Sequence, residues 1–268
     1  PVITYGGGAL LAIIALLAVF YFVRGRIKIE GGPAGTKIER FKAIERFGHW
    51  LLAGSFIALG LTGLTTLMGR SFLIPVMGPE AFATLAAGSK WLHNNIAWAF
   101  MLGLVLTFFM WVAHNIPSKL DWQWIKVGGG IFTSAHPSAK KFNAGQKIVF
   151  WTVMVLGFSV SLSGLSLLFP FQMPMFAETF SAMNSVLGTG FPTDLTPHEE
   201  MQYANIWHSI MAFVLMVAII AHIYIGSVGM EGAFDAMGNG KVDLEWARQH
   251  HDLWVAEVEA KQGKGDSP

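Results

Sequence analysis

Five stretches of this chain, each close to 20 residues long and almost free of charge, constrain its fold more than anything else in it. In hydrocarbon the backbone must satisfy its own hydrogen bonds, and a helix of roughly 20 apolar residues is the shortest common solution that crosses a bilayer. The stretches run from about Tyr5 to Val23, Phe47 to Met68, Ile96 to Ala113, Ile148 to Pro170 and Ile206 to Val228. Composition agrees: 53% of residues are hydrophobic and 13% charged, against about 25% charged in a soluble domain, and mean hydropathy is +0.49. A net charge of +1 offers no electrostatic footprint for nucleic acid. With no cysteine, disulfides, thiolate-bound zinc, iron–sulfur clusters and covalently attached haem are excluded from this chain.

The first apolar stretch is not preceded by positive charge, as a signal peptide would be. Its charges follow it, so it reads as a retained helix. The chain opens on Pro1 and not on Met, which reads as processing or trimming.

Lys and Arg concentrate in three places: Arg24 to Arg46 after the first stretch, Lys119 to Lys147 between the third and fourth, and the tail from Lys241 to Lys264. The two remaining loops carry only Arg70 and Lys90. By the positive-inside rule the three basic segments are cytoplasmic, and the N-terminus and the loops around 69–92 and 171–203 face the other side. The 171–203 loop lacks Lys and Arg but carries Phe171, Met173, Met175, Phe176 and Phe180. It either folds over the helix ends of its own subunit or docks a partner.

Four histidines, His49, His93, His208 and His222, lie inside or at the edge of apolar stretches, where an ionisable side chain is costly and marks function. His208 and His222 share the last stretch, fourteen residues apart. That is about 21 Å of helix, and about 40° short of four full turns, so both point to nearly the same side at opposite depths. In the alternating topology His49 matches the depth of His222, and His93 that of His208. Each pair offers two opposed imidazoles, which suits a six-coordinate haem b devoted to electron transfer; zinc would need four ligands together. Gly48, Gly54, Gly60 and Gly63, with Gly157 and Gly164, either let a flat macrocycle approach a helix or serve ordinary helix packing. His114, His136, His198, His250 and His251 read as solvated surface residues.

At these positions the sequence resembles the gamma, or cytochrome b556, subunit of respiratory formate dehydrogenases. The resemblance rests on Arg46-Phe-Gly-His49-Trp50, Trp91-Leu-His93-Asn94, Lys141-Phe-Asn-Ala-Gly-Gln-Lys147, Trp207-His208, Ala221-His222 and the segment from Gly232 to His251. It covers about residues 38 to 258. The first helix departs from the four-helix members, and a partner's helix is one candidate for its packing surface.

The expected fold is therefore an all-α membrane protein: a four-helix transmembrane di-haem cytochrome b bundle plus an extra N-terminal transmembrane helix. Its parts would be the N-terminal helix 1–24, a cytoplasmic linker 25–46, the di-haem domain 47–228 and a cytoplasmic amphipathic tail 229–268. The resemblance implies two haem b groups, with iron held by His49/His222 and His93/His208. It implies reduction of a quinone (ubiquinone or menaquinone) on the inner side, in contact with Asn143, Gly145 and Gln146. The same three residues also read as a helix start, with Asn143 as N-cap and Gln146 three residues on. The implied partners are an iron–sulfur beta subunit and a catalytic alpha subunit with a molybdenum or tungsten pterin. The implied place is the bacterial inner membrane, with the N-terminus periplasmic and the C-terminus cytoplasmic. The competing expectations are the cytochrome b subunit of a nickel–iron hydrogenase, a stand-alone b561-like cytochrome, and a non-redox transporter or scaffold.

Overall fold

The computed structural model describes residues 2–130, 133 and 135–265, so the last three residues of the expected tail and Pro1 lie outside the described residues. Five helices are long and apolar enough to cross a membrane: α1 (Val2–Arg24), α2 (Ala43–Phe72), α4 (Pro79–Trp111), α6 (Ala144–Leu168) and α8 (Pro197–Ile225). Between them stand the short α3 (Ile74–Met77), α5 (Lys119–Lys126) and α7 (Met175–Leu187). After α8 come α9 (Asp235–Gly238) and α10 (Leu244–Gly265). Two three-residue strands, β1 (Lys37–Glu39) and β2 (Lys241–Asp243), pair antiparallel with Ile38 opposite Val242.

Every expected span is present, but the helices outrun the apolar windows. The largest difference is α4, which begins at Pro79 and not near Ile96. Hydropathy marks only the part of a helix that suits lipid. Pro79 is pre-organised for a first helical turn, and the Ala-rich run that follows favours helix whatever its polarity. The expected loop around 69–92 is therefore largely helical.

The chain forms two compact units. One comprises residues 1–11, 51–104 and 153–217; the other comprises 12–50, 105–152 and 218–268.

In the first unit, glycines set close helix approaches. A Cβ on Gly103 would stand 2.9 Å from the Leu52 Cα, and one on Gly157 would stand 2.8 Å from a Leu104 methyl. The α1 segment uses the same device: a Cβ on Gly6 would lie 2.3 Å from the Phe213 ring of α8. The extra helix thus packs on its own chain. Because association in lipid depends on such backbone approach, Gly6→Leu is expected to free α1 from α8. Crosslinking yield between cysteines placed on the two helices should drop severalfold while the rest of the bundle stays folded.

The 171–203 segment also belongs here. Phe176 stacks on Tyr203 and Phe180 on Phe191. The buried Glu200 carboxylate accepts the backbone N–H groups of Phe176 and Ala177 at the start of α7, where a negative charge also suits the helix dipole. Much of the segment's apolar surface is therefore spent on its own unit, while Phe171, Val186 and Leu187 stay exposed.

In the second unit the linker and the tail fold together. Ile27 bridges Met230, β1 pairs with β2, and the Asp243 carboxylate accepts the N–H groups of Ala34, Gly35 and Glu245. Val242, Trp246, Ala247, Trp254 and Val255 are buried, so the tail packs as a cap and does not lie free.

Candidate functional site

The four intramembrane histidines come together as the two expected pairs, one in each unit. The ring centres of His93 and His208 are 6.3 Å apart, and those of His49 and His222 are also 6.3 Å apart. A metal–imidazole bond is about 2.0–2.1 Å long and the ring centre lies about 1.15 Å beyond the nitrogen, so two imidazoles on opposite sides of one metal have centres roughly 6.4 Å apart. Both pairs stand at that spacing. Among the described residues no group of three or more His, Cys, Asp or Glu side chains could hold a metal, so the donors come in twos, as axial ligation of a macrocycle requires.

Spacing alone is not diagnostic. His136 and His250, outside the spans, are 6.1 Å apart, but the Nε2 of His136 is taken by Glu30 at 3.2 Å. The His93/His208 pair differs in what its nitrogens do. Thr62 Oγ1 lies 2.9 Å from His93 Nδ1, and Ser163 Oγ lies 3.0 Å from His208 Nδ1. With Nδ1 occupied, Nε2 is the nitrogen left for a ligand. In the other pair, His49 Nδ1 is buried with no partner. His49 packs edge-on to Trp50 and lies 6.5 Å from Trp111, ring centre to ring centre. These residues fit two bis-histidine haem b groups.

The six glycines meet different neighbours. Gly63 and Gly164 face the histidines themselves: a Cβ on either would stand 3.4 and 3.3 Å from the Cε1 of His93 and His208. They make room for the imidazole, a use the sequence did not suggest. Gly48 is covered by the Met110 methyl, Gly60 lies near the Met216 sulfur, and Gly157 meets Leu104. Only Gly54 of the six has nothing within 4 Å.

Asn143, Gly145 and Gln146 sit at the start of α6, in the unit that holds His49 and His222. Asn143 Oδ1 accepts the Gln146 N–H and Gln146 Oε1 accepts the Asn143 N–H, each at 3.0 Å. That is a reciprocal capping box, which leaves the two side-chain NH2 groups as donors. The Gly145 Cα lies against Trp124, whose ring a Cβ would meet at 2.8 Å.

The segment leading into them is pinned from several sides. Glu45 accepts Lys141 Nζ at 2.6 Å and Trp111 Nε1 at 2.9 Å. Lys147 Nζ bridges Asp121 and the Ile116 carbonyl. Arg40 Nη2 donates to the Lys141 carbonyl at 2.7 Å and lies 2.9 Å from His251 Nε2, while His251 Nδ1 lies 2.8 Å from the Lys140 carbonyl. Arg40 is packed over the rings of Phe41, Trp246 and Trp254. Burial pulls its guanidinium down to about 9, partly offset by Glu45.

His251 corrects an expectation: it is 1% exposed, not a solvated surface residue. An adjacent His-His pair in a charged stretch reads as surface, and only the kink at His251 (φ −152°, ψ 47°) turns it inward. His250 is half-buried against Trp246, while His114, His136 and His198 are exposed as expected.

Comparison with known proteins adds the following. A family model described as prokaryotic cytochrome b561 matches residues 40–240. The nitrate-inducible formate dehydrogenase cytochrome b556(Fdn) subunit of Escherichia coli (strain K12) is 29% identical over 235 residues, 86% of this chain and 95% of that subunit. The formate dehydrogenase cytochrome b556(fdo) subunit of the same organism is 28% identical over 223 residues, 82% of this chain and 93% of its own length. The formate dehydrogenase cytochrome b556 subunit of Haemophilus influenzae is 25% identical over 226 residues, covering 83% and 84%.

Proposed function

The chain belongs to the prokaryotic cytochrome b561 family, a family of membrane cytochromes b that transfer electrons, and from that premise we propose that it is the di-haem electron-transfer subunit of a respiratory formate dehydrogenase. The observation that carries the reading is the pair of 6.3 Å imidazole spacings, one in each unit. The names of the similar subunits support formate as the source of the electrons. The donor would be an iron–sulfur subunit fed by a molybdenum or tungsten pterin subunit. The Lys and Arg distribution supports a periplasmic N-terminus and a cytoplasmic C-terminus in a bacterial inner membrane.

Haem b, when bound, would supply a one-electron iron couple. The chain's residues do the rest. His93 and His208 would hold one group, and His49 and His222 the other. Asn143 and Gln146 present their free NH2 groups to the carbonyls of a quinone on the cytoplasmic side, with Gly145 keeping the backbone accessible. Two electrons and two cytoplasmic protons convert the quinone to quinol.

The capping box allows a clean test of the quinone site. Asn143→Asp and Gln146→Glu keep the oxygens that cap α6 and remove the NH2 donors. Losing one hydrogen bond to the substrate is worth about 1.4 kcal/mol, so an approximately tenfold rise in KM for a soluble quinone is expected, with haem content and formate-reducible haem unchanged. An unchanged KM in both variants would remove these residues from the quinone site. Supplying hydrogen in place of formate to the purified complex separates the hydrogenase alternative.

A further inference from the structure

Two hydroxyl–glycine pairs occupy equivalent places in the first unit. Thr62-Gly63 on α2 faces His93 of α4, and Ser163-Gly164 on α6 faces His208 of α8. In each, the glycine leaves room for the imidazole edge and the hydroxyl meets Nδ1. The direction of the hydrogen bond follows from the count of protons. A hydroxyl has one to give, and Thr62 Oγ1 donates it to the Ala58 carbonyl at 2.7 Å, with Leu59 at 3.2 Å. Ser163 Oγ likewise donates to Ser159 at 3.0 Å, with Val160 at 3.2 Å. Towards histidine each hydroxyl is left as acceptor, so Nδ1 carries the proton and Nε2 the lone pair. Back-bonding to the preceding turn, common for Ser and Thr in helices, leaves each hydroxyl as an acceptor, and the Leu59 and Val160 carbonyls of the same turns also accept from His93 and His208, so hydroxyl and carbonyl favour the same tautomer.

A hydrogen bond given by Nδ1–H moves electron density to Nε2 and makes it a stronger donor to iron, which favours the ferric state. The other pair differs: His49 Nδ1 is buried with no partner. We propose that Thr62 and Ser163 are positioning residues that lock His93 and His208 as Nδ1–H tautomers and set the redox potential of that pair below that of the His49/His222 pair. The inference rests on the reading of these histidines as haem ligands. Each haem b held by these residues would supply a one-electron couple, and the lower potential set at His93 and His208 would make that pair the one-electron donor and the pair at His49 and His222 the acceptor, with no proton transferred.

The test is a potentiometric titration of the purified full-length chain, with haem counted by pyridine haemochrome. Wild type is expected to hold two haems and titrate in two waves. Thr62→Val and Ser163→Ala should each move the lower wave upward and leave the upper wave in place. A tenfold loss of preference for ferric iron reads as about 59 mV in a one-electron couple. Thr62→Ser and Ser163→Thr keep the acceptor and should restore the wild-type value; they also cover the case in which the apolar variants lose haem. Unmoved waves with both haems retained, equal movement of both waves, or no rescue by the conservative variants would each overturn the proposal. Fewer than two haems in wild type would instead overturn the ligand reading beneath it, and the haem count reports that separately.

Discussion

On the di-haem reading we propose, replacing His93 or His208 by alanine is expected to remove one haem and leave the other spectroscopically intact, and replacing His49 or His222 to remove the complementary one. The expectation follows from the pairing. Each imidazole has one opposite partner at 6.3 Å and no third donor nearby among the described residues, so the loss of one ligand cannot be made good from within its site. The two pairs fall in different compact units, so loss of one group should leave the ligands of the other in place. Double variants make the argument strict. His93→Ala with His208→Ala should cost no more haem than either alone, whereas His93→Ala with His222→Ala should bind none. This is the pattern of residues acting as a unit against residues acting independently. Reduced-minus-oxidised spectra with a haem count on each variant decide it. Retention of both haems in the His93→Ala variant would show that the pairs are packing residues. All four single variants are expected to lose rapid electron transfer from formate to quinone, by orders of magnitude, because the path needs both stations.

How far this arrangement could be read without coordinates depended on the range of the physics involved. Spans are local: twenty apolar residues have one membrane solution, and all five appear. The histidine pairs were legible because a fourteen-residue spacing on one helix and an alternating topology fix depth and side together. What escaped was whatever depends on contacts across the chain. The three-residue strands β1 and β2 have no periodicity to detect, and they exist because Asp243 gathers the N–H groups of residues 34, 35 and 245. Glu200 looks like a surface acid on a polar helix start, yet it is 1% exposed because α7 needs its N-terminus capped. Thr62 and Ser163 look like ordinary hydroxyls in apolar helices, and their meaning appears only when the histidines arrive opposite. Gly63 and Gly164 were noticed for the absence of a side chain, and the structure adds the imidazole edges of His93 and His208 as their neighbours.

Acidification from pH 6.5 towards 4 is expected to loosen the tail cap of the second unit before anything else in it. Burial, with further effect from His136 and Arg40, pushes the His250 imidazole down to about 4. Burial and Arg40 push His251 well below its ordinary value, against a smaller opposing effect of the Lys140 carbonyl. The ordinary value, near 6.5, applies once the tail is released. Between the two values the released tail binds protons that the packed tail refuses. The contribution is therefore fully present above pH 6.5 and is withdrawn as pH falls through the window. For His250 alone the difference is on the order of 3 kcal/mol, and His251 acts in the same direction. The charged groups around them set the sign: protonating either imidazole adds charge beside Arg40, whose Nε and Nη1 have no hydrogen-bond partner among the described residues, while Glu30 is paired with His136. Protection factors across residues 241–258, taken from hydrogen exchange of the intact chain at pH 7, 6, 5 and 4.5 and normalised to the intrinsic rate at each pH, should fall progressively while those of the spans hold. The double variant His250→Gln, His251→Gln retains side-chain donors and cannot titrate, so its protection factors should be flat over the same range. Equal acid sensitivity in wild type and variant would assign the loosening to the Asp243 carboxylate, which holds the strand turn through the N–H groups of Ala34, Gly35 and Glu245, and not to the histidines.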